Sequence, residues 1–300
     1  MNHRHLSVLL DASIDALQLK KNGIYVDATF GAGGHTREIL NRLEDGRVFS
    51  FDQDPEAYEH IDEDILNDQR FTMIKANFET LEQSLRQHGV SQIDGILFDL
   101  GMSSMHIDDP KRGFSYMQEG PLDMRMNPHQ SLTAEVILNT YDHASLLKIF
   151  RDYGDIKQPH KFANFIISKR PYHLTSDVVK VTDAWFKRSQ GHSAKAVFQA
   201  LRIEVNQELQ VIERALKQAL NMLKPSGRLV VISFHSLEDR IVKQFIKLHS
   251  ESHSPKGLPV MNETLPLIKV TKKPVLPSED EILRNSRSRS AKMRVAEKAI

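Results

Sequence analysis

No cysteine occurs among the 300 residues. That absence excludes disulfides, thiolate metal sites and a cysteine nucleophile together, so any chemistry here rests on other groups. Tryptophan occurs once, and no apolar run approaches the roughly 18 residues that a membrane-spanning helix needs. The first apolar run, Val8–Leu10, is too short for the core of a secretion signal. A membrane partner is therefore not expected, and a cytoplasmic location is. Neither sign of charge prevails either, because 40 Lys and Arg against 39 Asp and Glu leave a formal net charge of +1. Such a balance neither demands nor excludes nucleic acid, and local basic faces decide the matter.

What is present is ordinary for a folded enzyme: 40% of residues are hydrophobic and 26% charged, which argues against extended disorder. The length exceeds that of a usual single domain, so one large domain with an insertion, or two domains, is the prior.

Along the chain, Gly23–Thr29, Arg47–Phe51, Phe71–Ala76 and Ile93–Leu100 read as strands, with His35–Leu43 and the acidic stretch after Pro55 as helices. Strands alternating with helices imply right-handed crossovers, and hence an α/β fold whose parallel sheet is covered on both faces. The alternation stops near Gly113. From there Ser145–Tyr153, Lys161–Lys169 and Ser176–Lys187 read as helices with no strand between them, which predicts a helical insertion over 113–193 inside a domain made of 1–112 and 194–300. Ser193–Leu223 then reads as one long amphipathic helix, with Leu201, Val205, Leu209, Ile212, Leu216 and Leu220 on one stripe. Lys224-Pro225-Ser226-Gly227 should end it before a strand at Arg228–Ser233. Ser236 is the expected cap of a helix at Leu237–Leu248, and Leu267–Lys272 and Ala291–Glu297 the expected last strands.

The run Tyr-Val-Asp-Ala-Thr-Phe-Gly-Ala-Gly-Gly-His-Thr, residues 25–36, turns a strand into a helix through glycines. A phosphate cradle of the Walker type is excluded, because no lysine lies between Asn22 and Asn41. A dinucleotide turn would place its third glycine at position 36, where Thr36 stands. What remains is Asp27, the turn Gly31, Gly33 and Gly34, and Asp52 at the end of the second strand. A carboxylate at that strand end can accept hydrogen bonds from two ribose hydroxyls while glycines admit a ligand against backbone N–H groups. This suits an adenosine without a pyrophosphate. S-adenosylmethionine is such a ligand, and Asp27 is electrostatically apt for its charged end. His35 opens the following helix, so its backbone N–H is a candidate contact whatever its ring does. Phe78, after the third strand, can face an adenine or serve as plain core.

Asp99 opens the run Asp-Leu-Gly-Met-Ser-Ser at the end of the fourth strand, the carboxyl edge where open α/β sheets hold ligands. Two roles are open to it: acceptor of the protons of an exocyclic amine about to be methylated, or contact to the cofactor. No pairing of the 14 histidines with nearby acids makes a metal pattern, and no metal is expected.

Taken in order, Val8–Asp11, Asp27–His35, Asp52–Pro55, Asp99–Ser104, Arg112–Ser115, Gly120–Met126, Ser233–Arg240 and Arg287–Arg294 resemble the motifs of the RsmH (MraW) family across nearly the whole chain. The resemblance implies a Rossmann-like class I S-adenosylmethionine-dependent methyltransferase sheet with a helical insertion domain. It also implies methylation of the N4 amine of a cytosine in the decoding region of 16S ribosomal RNA. Carried over by position, Gly33, Gly34, His35, Asp52, Phe78 and Asp99 contact the cofactor, as does His106, where relatives commonly have Gln. Asp99 is the candidate catalytic residue. The implied partner is 16S rRNA within the small ribosomal subunit. Oligomeric state is left open, a homodimer included.

Two basic runs fit that partner. Arg284, Arg287, Arg289, Lys292 and Arg294 form one; Lys157, His160, Lys161, Lys169, Arg170 and His173 form the other, interleaved with Phe162, Phe165 and Tyr172. Read alone, each is a solvated face with mostly core aromatics; the resemblance turns the reading toward phosphate contacts and base stacking. The rival readings are a nicotinamide-dependent oxidoreductase and a non-enzymatic RNA-binding factor.

Overall fold

The computed structural model describes residues 6–186, 193–252 and 265–299. Its strands are β1 Ile24–Asp27, β2 Arg47–Phe51, β3 Phe71–Ile74, β4 Ile93–Asp99, β5 Leu223–Ser233, β6 Leu267–Lys269 and β7 Lys292–Lys298. They form one sheet in the order β3-β2-β1-β4-β5-β7-β6. β1 to β5 run parallel to one another, whereas β7 is antiparallel to both β5 and β6. The inner strands are apolar almost throughout, as a parallel sheet covered on both faces requires. In β4, Ile93, Ile96, Leu97 and Phe98 are all buried. The Rossmann-like α/β sheet expected from the sequence is thus present, with each expected strand in place. Strand order reverses between β1 and β4, the point at which such sheets open a crevice at their carboxyl ends.

Two compact units divide the chain: Met1–Gly101 with Leu209–Ile300, and Met102–Glu208. The sequence drew the insertion at 113–193; the compact unit starts earlier and ends later. Polar contacts within the second unit account for the difference. The Arg112 guanidinium donates to the carbonyls of Arg125 and Met126. Asn206, at the end of the helix Lys195–Asn206, donates to the Met124 carbonyl at 2.8 Å and accepts from the Met126 N–H at 2.8 Å. That second unit is helical, with Ala134–Thr140, His143–Asp152, Pro159–Ser168, Thr175–Trp185 and Lys195–Asn206 around Phe150, Phe162 and Tyr172. The expected end of the fourth of these at Lys187 lies outside the described residues.

In the first unit, Ile212, Leu216 and Leu220 of the helix Glu208–Met222 join Phe245 and Ile246 of the helix Ser236–Ser250 in one buried cluster with Phe49, Phe98 and Val231. No described helix is long and apolar enough to cross a membrane.

Three local expectations are corrected. The single helix over 193–223 is two, Lys195–Asn206 and Glu208–Met222, because Gln207 takes a left-handed conformation with φ of 49°. The apolar stripe runs on in step through that residue, so periodicity carried no sign of the break. Lys224–Gly227 is not a turn ahead of β5 but a bulge within it: Leu223 pairs with Ile93 and Arg228 with Gly95, leaving the segment opposite Asp94 alone. Asp94 holds it by pairing with Lys224 at 2.6 Å, while its other carboxylate oxygen pairs with Lys20 at 3.2 Å. Finally, the helix Ser236–Ser250 is capped by His235, not Ser236, and Glu238 reaches back to accept from the N–H groups of Phe234 and His235.

Candidate functional site

Asp27 ends β1 and is fully buried. Its Oδ2 accepts from the Thr36 hydroxyl at 2.7 Å and its Oδ1 from the Thr29 N–H at 3.2 Å. Thr36 in turn lies 2.7 Å from the Ser50 hydroxyl on β2. The residue that breaks the dinucleotide fingerprint therefore has a task of its own, which is to anchor this carboxyl. Burial pushes the Asp27 carboxyl up to about 7, against the pull of its hydrogen bonds from Thr36 and Thr29 and with a smaller push from the charge of Asp52.

Asp52 follows β2 and is tied to the glycine turn: its Oδ2 accepts from the Gly31 N–H at 2.9 Å and its Oδ1 from the Asp54 N–H at 2.9 Å. Each carboxylate oxygen retains acceptor capacity after one such bond. Gly33 has φ of 77°, and a Cβ there would come within 2.7 Å of the Phe30 ring. Gly34 opens the helix Gly34–Arg42 in an ordinary conformation, but a Cβ on it would collide with the Ser7 hydroxyl. The N-terminal segment thus crosses directly over the turn. It is held there by Glu281, which accepts from the Leu9 N–H at 2.7 Å, and by Asn285, which donates to the Leu6 carbonyl at 2.9 Å.

Asp99 ends β4, with its backbone N–H donating to the Thr29 hydroxyl at 2.8 Å. Its Oδ1 is buried and has no hydrogen-bond partner. A buried carboxyl oxygen without a partner is costly, and its presence at a strand end on the ligand edge marks a place for a donor. Burial first, then the charges of Asp27 and Glu238, hold the Asp99 carboxyl well above the usual carboxylate range. His35 is buried, with Nδ1 3.8 Å from Asp99 Oδ2 and Nε2 3.2 Å from the Val8 carbonyl.

The sheet therefore brings Asp27, Asp52 and Asp99 to the carboxyl ends of three adjacent strands, with Gly31, Gly33, Gly34 and His35 in the turn beside them. Phe78 follows β3, partly buried, packed on the core and edge-on to Phe98 with ring centroids 5.6 Å apart. Its core role is plain, and its remaining surface leaves a ligand contact open. His106 belongs to the second compact unit, where its ring accepts from the Ser103 N–H at 3.3 Å and stacks on Phe114 with centroids 4.9 Å apart.

The basic runs divide. Arg284, Arg287 and Arg289 are exposed on the helix Glu279–Arg284 and the turn of 3-10 helix that follows it. Arg294 is not available: it is buried in β7 and makes a two-pronged pair with Asp239, at 2.7 and 3.1 Å. In the second unit Phe162 and Tyr172 are core, and Arg170 spends its guanidinium on the carbonyls of Leu138 and Tyr141. Lys157, His160, Lys161, Lys169 and His173 stay exposed. Sequence reading missed Thr36, Glu238 and the ring of His35. The first was legible as a hydroxyl replacing a glycine beside a buried acid.

Comparison with known proteins bears on the same motifs. The MraW methylase family matches residues 2–299. The chain is similar to Ribosomal RNA small subunit methyltransferase H 1 of Acholeplasma laidlawii, with 51% identity over 98% of this chain and 99% of that one. Ribosomal RNA small subunit methyltransferase H of Onion yellows phytoplasma is 52% identical over 98% and 97%. The enzyme of that name from Halothermothrix orenii is 43% identical over 99% of each chain. Among solved structures, an rRNA methylase from Streptococcus thermophilus aligns with a TM-score of 0.46 and 14% identity over 99% of both chains. Agreement of this extent, end to end, leaves one assignment: the chain belongs to the MraW methylase family.

Proposed function

We propose that this protein transfers a methyl group from S-adenosylmethionine to the N4 amine of a cytosine in the decoding region of 16S ribosomal RNA. The observation that carries the reading is Asp99 Oδ1, a buried carboxyl oxygen without a partner at the ligand edge of the sheet. The names of the three relatives above, each a ribosomal RNA small subunit methyltransferase, support the substrate class. S-adenosylmethionine, when bound, supplies an electrophilic methyl on a positively charged sulfur.

The residues present fit such a group. Asp52 offers acceptors to ribose hydroxyls, the start of the helix Gly34–Arg42 offers backbone N–H donors and Phe78 offers an aromatic face. Asp27 sets a fully buried carboxyl, and Asp99 a carboxyl whose Oδ1 is buried, where a cation belongs. An opposite charge favours the ionised form, so a sulfonium draws both acids toward carboxylate.

Asp99 then acts on the acceptor. The lone pair of a cytosine amine is delocalised into the ring, which makes it a poor nucleophile. A carboxylate that accepts an amine N–H localises that pair and aims it for in-line attack. No covalent enzyme intermediate is needed, in keeping with a chain that lacks cysteine. The base must be splayed from its stack, with Arg284, Arg287, Arg289, Lys292 and the lysines of the second unit taking phosphates. Calorimetry tests the cofactor: S-adenosylmethionine should bind and NAD(H) should not. Transfer of labelled methyl to small subunits that lack the mark tests the substrate, and binding without any transfer would leave a non-enzymatic RNA-binding factor.

A further inference from the structure

The ring of His35 has no part in the account above, yet its placement is specific. A carbonyl oxygen only accepts, so the contact between Nε2 and the Val8 carbonyl at 3.2 Å puts the proton of the neutral imidazole on Nε2. Nδ1 is then left with a lone pair, and it faces Asp99 Oδ2 at 3.8 Å. The two side chains are 4% and 21% exposed, so a proton passing between them need not enter bulk water.

We propose that the His35 imidazole is the proton store for Asp99: on arrival of the cationic cofactor it takes the Asp99 proton through Nδ1, leaving a carboxylate with Oδ1 turned to the amine. This rests on the methyl-transfer reading and assigns a positioning role that acts through Asp99. Among the described residues, the charges that bear on Asp99 are those of Asp27 on β1 and Glu238 on the helix Ser236–Ser250. Asp52 faces Asp27 in turn, and His235 lies 3.1 Å from Glu238. Asp27, Asp52 and Glu238 are acids, and they favour a cation at His35 while opposing a bare carboxylate at Asp99. An imidazolium beside that carboxylate resolves the conflict.

The balance closes over a cycle. In the ligand-free protein the pair holds one acidic proton, on Asp99, with His35 neutral. Cofactor binding moves that proton to Nδ1 without releasing it. As the N–C bond forms and the S–C bond breaks, the amine nitrogen carries one proton too many, which passes to Asp99 Oδ1. Release of the products returns the surplus proton from His35 to solvent and restores the starting state.

The full-length protein is titrated with S-adenosylmethionine in buffers of different ionisation enthalpy, which counts protons released per ligand. Any proton lost from Asp27 is common to both proteins, so His35→Gln should release up to about one proton more than wild type, because Asp99 must then ionise into solvent. Gln keeps a donor for the Val8 carbonyl but cannot take a proton; Asn keeps a polar atom toward Asp99 and loses the tie to Val8. Both variants should gain an acid limb in the single-turnover pH profile, with the rate rising up to about tenfold per pH unit. A role confined to holding Val8 predicts instead that Gln behaves as wild type and only Asn fails, and that result overturns the proposal. Nitrogen NMR of the wild type needs no variant: the His35 ring should change from neutral imidazole to imidazolium with S-adenosylmethionine, and a ring that stays neutral also overturns it. Wild type that binds no S-adenosylmethionine would instead sink the methyl-transfer reading from which the proposal starts.

Discussion

Asp27→Asn isolates the energetic consequence of burying an acid at the ligand edge. The carboxyl is fully buried and titrates at about 7 in place of 3.8. A difference of about 3 units, at 1.36 kcal/mol per unit, corresponds to about 4 kcal/mol by which ionised Asp27 destabilises the ligand-free fold. Because its pKa in the fold lies above that of the unfolded chain, its stabilising contribution is whole below about pH 4. It is lost as pH rises through about 7. Asn matches the shape and can accept from Thr29 or Thr36 without ever ionising, so the variant should gain stability over wild type as pH rises, with about 4 kcal/mol as the ceiling. At about 2–4 °C per kcal/mol for a unit of this size, the ceiling is a Tm gap of about 8–16 °C at pH 8 that shrinks toward zero near pH 4. Thermal unfolding of the ligand-free proteins between pH 4 and 8 measures the gap. A gap independent of pH would refute the reasoning, since only a titrating group makes it grow. The same variant should bind S-adenosylmethionine more weakly, a trade of function for stability common at such sites.

Asp99→Ala should abolish methyl transfer while the protein still binds cofactor, read by single-turnover kinetics beside calorimetry; retained full activity removes Asp99 from the mechanism. Gly34→Ala should displace the Ser7 segment from the turn and weaken cofactor binding about tenfold or more, with Ser7→Gly in the same chain restoring part of the loss because it removes the colliding hydroxyl. Arg287→Ala with Arg289→Ala should weaken RNA binding and flatten its salt dependence, the slope of log K falling by up to about 2. Arg294→Met should leave the salt slope unchanged and lower stability, because it removes the two-pronged partner of Asp239 and leaves it Lys292 at 3.9 Å.

The parts of this fold legible in the sequence are those where one interaction dominates. β1, β2 and β4 are short, largely apolar runs that end in an acid or are followed at once by one, and burial on both faces leaves no other reading for them. Asp27, Asp52 and Asp99 were legible for the same reason, since a carboxylate closing such a run has the sheet edge as its natural outlet. What escaped depended on partners distant in sequence. The break at Gln207 goes with the bonds of Asn206 to Met124 and Met126, some 80 residues away. Arg294 looked like its basic neighbours until β7 laid it against Asp239, 55 residues earlier. The helices Leu10–Leu17, Leu81–Gln87 and Glu279–Arg284 are too short for a 3.6-residue period to declare itself.

The central claim is that Asp99 directs a methyl group to a cytosine N4 amine of 16S ribosomal RNA. Nucleoside mass spectrometry of RNA from small subunits lacking the mark, after reaction with wild type or Asp99→Ala in S-adenosylmethionine, tests it most directly. The account predicts N4-methylated cytidine with wild type and none with the variant. A methyl on a ring carbon or on another base, or equal product from both proteins, would contradict it.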